Sequence, residues 1–265
     1  MAYTIGITTF EHRFEKNLKP LLEKIKDSRP DLEVIIYVNA QISTGLSDEY
    51  RKNILSLCAS KRSVYPITTP NFKGLSKMWN GIIVQSSNDN IFIFNDDVDL
   101  VPQLFEQIEN LLRQENVPSF NINGSFSHFH VNRKEVFEVG FFDERLIGLG
   151  EEDGDWVFRW CRKYQKGFPM LQSNYIRRFE GYSSNLKETP WNTDWIFKNK
   201  YDPDNESLAI SQGFPANGMA GMYGKPVAMR DIEDLDFYPA EKFIWEHISE
   251  LTENFGNKNN TKNEQ

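Results

Sequence analysis

The chain has 265 residues, which fits one large or two small domains. Hydrophobic residues make up 39% of it and charged residues 26%, with 20 Phe and 6 Trp, so the composition excludes a membrane-embedded protein and a wholly disordered one. Acidic residues outnumber basic ones by 38 to 30, giving a net charge of −8. This balance disfavours nucleic acid as a partner, because nucleic acids are bound by clustered Lys and Arg.

The two cysteines and the N-terminal residues predict a cytoplasmic protein. Cys58 and Cys161 lie far apart and suit neither a disulfide framework nor a metal-ligand spacing, which favours a reducing compartment. The first residues lack the basic and apolar regions of a signal peptide. No apolar run approaches the ~20 residues that cross a bilayer. Contact with the inner face of a membrane and the oligomeric state are left open.

Strand and helix patterns alternate along the first part of the chain. The periodicity predicts strands over residues 3–10, 32–38, 64–68 and 91–94, and helices over 13–28, 48–59, 74–86 and 102–112. Ser47 is the expected cap of the second helix. This alternation predicts an α/β fold with a mixed, mostly parallel sheet flanked by helices.

The second half of the chain shows fewer periodic signals. Residues 119–131 alternate as an antiparallel strand would, with Phe126, His128 and His130 on one face. Helices are predicted over 155–166 and 239–254. We expect a core over residues 1–174, a loop-rich region with a C-terminal helix over 175–254, and a disordered tail over 255–265. The aromatic residues expected to wall an acceptor site in the loop-rich region are Trp191, Trp195, Tyr201, Phe214 and Tyr223.

Three carboxylates, Asp96, Asp97 and Asp99, come directly after the apolar strand at 91–94. They would repel one another unless a cation or a basic group joined them. Oxygen ligands of this kind suit Mg²⁺ or Mn²⁺, which commonly hold a substrate phosphate as well. The alternative is a solvated turn in which an aspartate caps the next helix.

A second acidic cluster, of Glu151, Glu152, Asp153 and Asp155, lies where a helix is expected to begin. Capping and the helix dipole explain one or two carboxylates at such a place. Crowding of four raises the pKa of at least one of them, as a general base requires. Capping alone stays open as the alternative.

These two segments, in this order on an alternating scaffold, resemble the GT-A glycosyltransferases, especially the large inverting family 2. The likeness runs over residues 3–178. Segments 97–102 and 150–153 are also similar to the metal and acceptor segments of the β-1,4-galactosyltransferases. The other matching residues are Thr8, Thr9, Phe10 and Arg13 after the first strand, Asn71, Gly74 and Asn80 further on, and the Phe141-Phe142-Asp143-Glu144 segment.

Two positions depart from the family pattern. Asn39 stands where relatives have an acid that touches the base or ribose. Arg178 falls about where many relatives have a metal-binding His. Either Glu180 or water would then complete the metal shell, or an arginine stabilises the diphosphate directly.

The resemblance implies a GT-A, Rossmann-like fold with a loop-rich C-terminal acceptor region. It also implies transfer, with inversion, from a nucleotide diphosphate sugar, expected to be UDP-linked, to a hydroxyl of a glycan or lipid-linked glycan, as in bacterial surface polysaccharide synthesis. Mn²⁺ or Mg²⁺ would bind Asp97 or Asp99, and the motifs do not decide between them. Asp153 would be the general base, and Glu152 would hold the acceptor. The expected nucleotide-sugar-binding residues are Thr8, Thr9, Phe10, Arg13, Asn39, Gly74, Lys77, Asp96 and Asp97.

Two other functions remain open. A sugar-nucleotide pyrophosphorylase has a related sheet, but its glycine-rich phosphate loop has no counterpart in residues 8–13. A catalytically silent carbohydrate-binding protein could share the fold, since fold does not secure activity. The Glu152-Asp153 pair favours an enzyme.

Overall fold

The computed structural model describes residues 2–41, 44–146, 152–179, 201–202 and 228–229. Within these residues, seven strands form one sheet and four more form two short ribbons. The strands are β1 (Thr4–Phe10), β2 (Glu33–Asn39), β3 (Val64–Thr68), β4 (Asn90–Asn95), β5 (Val98–Leu100), β6 (Phe120–Ile122), β7 (Ser125–Asn132), β8 (Met170–Leu171), β9 (Ile176–Arg178), β10 (Tyr201–Asp202) and β11 (Ala228–Met229).

The sheet order is β3-β2-β1-β4-β7-β6-β8. Strands β3, β2, β1 and β4 run parallel to one another, whereas β7 is antiparallel to both β4 and β6. Outside the sheet, β5 pairs with β9 and β10 pairs with β11, both antiparallel. The mixed, mostly parallel sheet that the alternation predicts is therefore confirmed.

Helices cover both faces of the sheet. The described α-helices are α1 (Lys19–Ser28), α2 (Asp48–Ala59), α3 (Leu75–Gln85), α4 (Gln103–Leu112), α5 (Arg133–Val139) and α6 (Glu152–Tyr164). Helices α1, α2 and α4 bury their apolar sides in one core cluster. Helices α3, α5 and α6 do so in a second cluster on the opposite face. Ser47 caps α2 as expected, because its hydroxyl oxygen accepts a hydrogen bond from the Tyr50 N–H at 3.1 Å.

Two glycines let α3 lie close to the sheet. A Cβ atom on Gly6 of β1 would lie 2.3 Å from Cγ2 of Ile82, and one on Gly81 would lie 2.5 Å from the Tyr37 ring. Contacts this short force neighbouring atoms to move, so any larger residue at either position would displace the Ile82 side chain or the Tyr37 ring.

The structure corrects the single strand expected over 119–131. The segment is a hairpin of β6 and β7, joined by Asn123 and Gly124 with φ angles of 54° and 74°. The register between the strands is irregular beside this turn. Phe126 therefore packs against Trp79 on one face of the sheet, whereas the His130 ring stacks against Phe120 on the other.

Three helices also differ from expectation. Helix α1 begins at Lys19, after a 3-10 turn (Glu11–Arg13) and a π-helical turn (Phe14–Leu18). Helix α5, of seven residues, was not predicted because it is too short to show a period. Helix α6 begins at Glu152, so Glu152 and Asp153 lie in its first turn rather than before it. Strand β9, which pairs with β5, lies in the region that was expected to be loop-rich.

The helix expected over 239–254 and the tail over 255–265 lie outside the described residues. In the part of the chain that the structure describes, no helix is both long and apolar enough to cross a bilayer.

Candidate active site

Strands β1, β2 and β4 are parallel, so their carboxyl ends lie at one edge of the sheet, where open α/β folds bind ligands. Side chains at this edge bond directly across β1 and β4. The Thr8 hydroxyl donates to Oδ1 of Asn95 at 2.8 Å, and the Thr9 hydroxyl donates to Oδ2 of Asp96 at 2.7 Å. The edge is thus fixed by contacts between residues 87 positions apart in sequence.

Asp96 is fully buried and anchors Arg13. Its Oδ1 accepts a hydrogen bond from Nη1 of Arg13 at 2.8 Å, and the guanidinium also lies 5.7 Å from the centre of the Phe10 ring. Burial raises the pKa of the Asp96 carboxyl to about 6, although Arg13 and Thr9 act in the opposite direction. Asp96 therefore holds Arg13 at the sheet edge rather than offering a free carboxylate.

One carboxylate oxygen of Asp97 accepts a hydrogen bond within the described residues, and the other does not. Oδ2 accepts from Nε of Arg178 at 3.1 Å and lies 3.8 Å from Nη1 of Arg13. Oδ1 is buried and has no hydrogen-bond partner among the described residues. Native structures rarely leave a buried carboxylate oxygen in this state, so Oδ1 is a position where a ligand would be stabilised.

Asp99, the other metal candidate, has different surroundings. It forms ion pairs with Lys24 of α1 and with Arg177, whose Nη2 lies 3.5 Å from Oδ2. Lys24 and then Arg177 lower the pKa of the Asp99 carboxyl. Arg177 and Arg178 are neighbours on β9, and successive strand residues point to opposite faces. Asp97 and Asp99 are therefore bound by side chains from opposite faces of the β5–β9 ribbon.

A histidine that was not selected from the sequence also lies at this edge. His128 of β7 pairs with Phe94 across the sheet, three residues before Asp97. It is 2% exposed, and neither ring nitrogen has a hydrogen-bond partner among the described residues. Burial lowers the pKa of His128 to about 4; Asp97 acts on the ring in the opposite sense and Arg178 in the same sense. The strand pattern names His128, but its place near Asp97 could not be predicted, because it depends on the β4–β7 pairing.

The described residues contain no group of three or more His, Cys, Asp or Glu side chains arranged to hold a metal ion. The unpartnered Oδ1 of Asp97 fits a cation that takes most of its ligands from a diphosphate and water, as Mg²⁺ and Mn²⁺ commonly do. Asp99 fits this role less well, since Lys24 and Arg177 already bind its carboxylate.

Asn39, at the end of β2, holds the loop before α3. Its Nδ2 donates to the Lys73 carbonyl and its Oδ1 accepts from the Lys73 N–H, both at 2.8 Å. Gly74, the next residue, is the N-cap of α3 and carries no side chain there. The Asn39 amide thus shapes the edge of the candidate site by holding backbone, which accounts for an asparagine where the resemblance expects an acid.

Asn80 and Lys77 of α3 hold the 142–144 segment. The Asn80 amide donates to the Phe142 carbonyl at 2.8 Å and accepts from the Phe142 N–H at 3.1 Å. Lys77 Nζ and Asn80 Nδ2 both donate to the Glu144 carboxylate, at 2.8 and 3.0 Å. Lys77, expected at a phosphate, is therefore paired with Glu144 in this structure.

The first turn of α6 carries the candidate base. Burial raises the pKa of the Asp153 carboxyl, an effect that the hydrogen bond from the Gly154 N–H at 2.8 Å partly offsets. Glu152, beside it, is buried. One turn further on, the Trp156 ring lies 5.1 Å from that of Phe142, so this end of α6 packs on the same segment that α3 holds.

Arg159 braces this end of the helix. It binds Asp155 at 3.1 Å and donates to the carbonyls of Val139 and Phe141 at 2.9 and 2.7 Å. Asp155 is fully buried and so serves this contact. Of the four carboxylates in the acidic cluster, Asp155 thus has a structural role.

The structure brings Thr9, Arg13, Asp96 and Asp97 into one set of contacts, with Phe10 beneath Arg13, and Thr8 binds Asn95 at the same edge. Asn39 and Gly74 flank that set, and Glu152 and Asp153 lie on the face of the sheet that α3 covers. The residues outside the described part are Glu151, Glu180, Trp191, Trp195, Phe214 and Tyr223, and for Tyr201 only the backbone is described.

No family model and no curated protein matches the chain. Among solved structures, it is similar to S. aureus TarS, with a TM-score of 0.52 and 11% identity over 75% of this chain and 40% of that one. A structure of TarS 1–349 in complex with UDP-GlcNAc gives a TM-score of 0.51 and 10% identity, over 74% of this chain and 65% of that one. The same fragment in complex with UDP gives 0.51 and 11%, over 66% and 60%.

The match therefore spans less than half of the length of that TarS chain. At these identities the similarity shows the fold alone. The seven-stranded, mostly parallel sheet with helices on both faces is a GT-A glycosyltransferase fold.

Proposed function

We propose that this protein is a glycosyltransferase that moves a sugar from a nucleotide diphosphate sugar to an acceptor hydroxyl, with inversion. The observation that carries the proposal is the cluster of Thr8, Thr9, Arg13, Asp96 and Asp97 at the carboxyl edge of a GT-A sheet. Its geometry supports an anionic ligand there, because Arg13 and Arg178 are both drawn to this edge.

UDP is the proposed nucleotide, by analogy with the UDP and UDP-GlcNAc complexes of TarS. The base and ribose would lie against Thr8, Phe10 and the loop that Asn39 holds. Arg13 and Arg178 would compensate the charge of the diphosphate, which grows as the nucleoside diphosphate leaves. These two arginines are held in place by Asp96 and Asp97, so little reorganisation is needed when the donor binds.

A divalent cation, Mn²⁺ or Mg²⁺, would be held by Oδ1 of Asp97. Bound there, it would neutralise charge on the diphosphate leaving group. Asp97 itself keeps Oδ2 on Arg178, so the carboxylate can hold the arginine and the cation at the same time.

Asp153 is the proposed general base. Asp153 is half-buried and the pKa of its carboxyl is raised, which suits a group that accepts the proton of the attacking hydroxyl at neutral pH. Attack from the face opposite the leaving group gives a single displacement and inverts the anomeric carbon. Glu152 would hold the acceptor. The proposed acceptor is a glycan or a lipid-linked glycan. The proposed setting is bacterial surface polysaccharide synthesis, in the cytoplasm at the inner face of a membrane.

A panel of nucleotide sugars tests this function without knowledge of the acceptor, because water can replace the acceptor hydroxyl. We expect Mn²⁺-dependent release of UDP from at least one UDP-sugar. Asp153→Asn should slow release by about 10²–10⁴-fold while leaving UDP affinity unchanged. Asp48→Asn, which changes an exposed aspartate in the first turn of α2, is the matched control and should keep wild-type rates. An Asp153→Asn rate equal to that of the wild type would remove the base assignment.

A further inference from the structure

Two histidines of β7 have opposite environments. The His130 ring is bonded at both nitrogens, to the Pro118 carbonyl at 3.0 Å and to Oδ1 of Asn90 at 3.1 Å. It also stacks on Phe120, with ring centres 4.7 Å apart. His128, equally buried, has neither ring nitrogen bonded within the described residues. Packing and hydrogen bonds account for His130 but leave the nitrogens of His128 unexplained.

The position of His128 is set by the sheet. The pairing of His128 with Phe94 is the last one in the β4–β7 register before β4 turns into Asp96 and Asp97. Asp97, three residues beyond Phe94, pairs with Arg178 at 3.1 Å, and both residues lie close enough to act electrostatically on the His128 ring.

Two buried polar groups without hydrogen-bond partners among the described residues therefore lie at the same edge of the sheet. Oδ1 of Asp97 is an acceptor, and a neutral imidazole offers one nitrogen lone pair. Buried polar atoms in native proteins are nearly always bonded, so two unpartnered groups at one edge indicate a ligand that both can bind. A divalent metal ion is a ligand that a carboxylate oxygen and a neutral imidazole nitrogen can coordinate together.

We propose that His128 is a metal ligand of the donor site and binds the cation together with Oδ1 of Asp97. This inference rests on the proposed nucleotide-sugar function only for the ligands that a diphosphate would add. Arg178 occupies the position after the base where the resemblance expects a metal-binding His, and the nitrogen ligand comes instead from the strand antiparallel to β4. Nitrogen in the ligand set favours Mn²⁺ over Mg²⁺, which prefers oxygen alone.

The test uses the full-length protein with Mn²⁺ and UDP, and reads the metal directly. Protein labelled with ¹⁵N-histidine should show ¹⁵N hyperfine coupling in the electron–nuclear double resonance spectrum of bound Mn²⁺. His128→Leu should abolish the coupling and weaken Mn²⁺ binding by at least about tenfold. The matched control, His130→Asn, should keep the coupling, because that ring serves only packing and hydrogen bonds.

Bound Mn²⁺ without histidine coupling in the wild-type protein would overturn the proposal, and so would no Mn²⁺ binding or coupling that persists in His128→Leu. The labelled wild-type spectrum needs no variant, so misfolding of a variant cannot leave the question unanswered. If His128 only lines the wall, His128→Leu should bind Mn²⁺ as the wild type does, since replacing an unbonded polar group by an apolar one is nearly neutral. Failure of UDP-sugar turnover with intact histidine coupling would instead count against the proposed function alone.

Discussion

Each carboxylate after β4 meets a different basic side chain. Asp96 is bound by Arg13, Asp97 by Arg178 and Asp99 by Lys24, and these partners lie 83, 81 and 75 positions away in sequence. The acidic segment itself could be predicted, because its position after an apolar strand is visible in the sequence. Which aspartate keeps an unpartnered oxygen could not be predicted, because that depends on long-range ion pairs.

The buried His130 ring predicts a specific acid sensitivity. Burial lowers the pKa of His130 to about 3, from an ordinary value of 6.5. Below pH 6.5 the His130 ring binds a proton in the unfolded chain but stays neutral in the folded protein. Stability is therefore lost as pH falls from 6.5 toward 3. His130→Phe should lose less free energy of unfolding between pH 7 and pH 5 than the wild type, even though it starts from a lower value.

Urea unfolding at pH 7, 6 and 5 measures this slope. Asn90→Ala is the control, because it removes a hydrogen bond of the same ring but leaves the titrating imidazole in place. It should lower stability at pH 7 and keep the wild-type slope. Equal slopes for His130→Phe and the wild type would show that His130 does not carry the acid sensitivity.

Among the secondary-structure elements, two asparagines connect pieces that no hydrophobic pattern joins. Asn39 clamps the Lys73 backbone before α3, and Asn80 clamps the Phe142 backbone before α6. The sequence resemblance selected both positions, but only the structure gives their task. Each asparagine satisfies one backbone N–H and one backbone C=O with a single side chain.

Replacing Asn80 by Leu should therefore destabilise the protein strongly. The change leaves the buried N–H and C=O of Phe142 without partners, and we expect a loss of about 2–4 kcal/mol in the free energy of unfolding. Gln85→Ala, an exposed change on the same helix, should lie within about 0.5 kcal/mol of the wild type. Urea unfolding of both variants checks this prediction, and a loss below 1 kcal/mol for Asn80→Leu would mean that the clamp is not needed.

The elements that sequence missed were short or set by pairing. Helix α5 has seven residues, and β5 and β9 have three each, so none shows a full period. The β6–β7 turn did carry a signal, since Asn-Gly is typical of a two-residue hairpin. The irregular register between β6 and β7 places Phe126 on the face of the sheet opposite to the one that the alternation predicts.

Across the whole molecule, the candidate chemistry is divided between the carboxyl edge of the sheet and the first turn of α6. The Thr9–Asp96 contact and the ion pairs of Asp97 lie at the carboxyl edge of β1 and β4. Asp153 lies on α6, which packs with α3 in the second core cluster. Fold class and element order could be predicted from hydrophobic periodicity, because both faces of the parallel strands are buried. Which charged side chains meet at the carboxyl edge could not be predicted, because it depends on the three-dimensional arrangement.

The central claim is that a nucleotide diphosphate binds at the carboxyl edge of the sheet and that Asp97, not Asp99, supports it. Calorimetric titration of UDP in the presence of Mn²⁺, with wild type, Asp97→Asn and Asp99→Asn, tests this most directly. We predict that the wild type binds, that Asp97→Asn binds at least about tenfold more weakly, a loss of ~1.4 kcal/mol, and that Asp99→Asn stays within about threefold of the wild type. No UDP binding by the wild type, or wild-type affinity in Asp97→Asn, would contradict the claim.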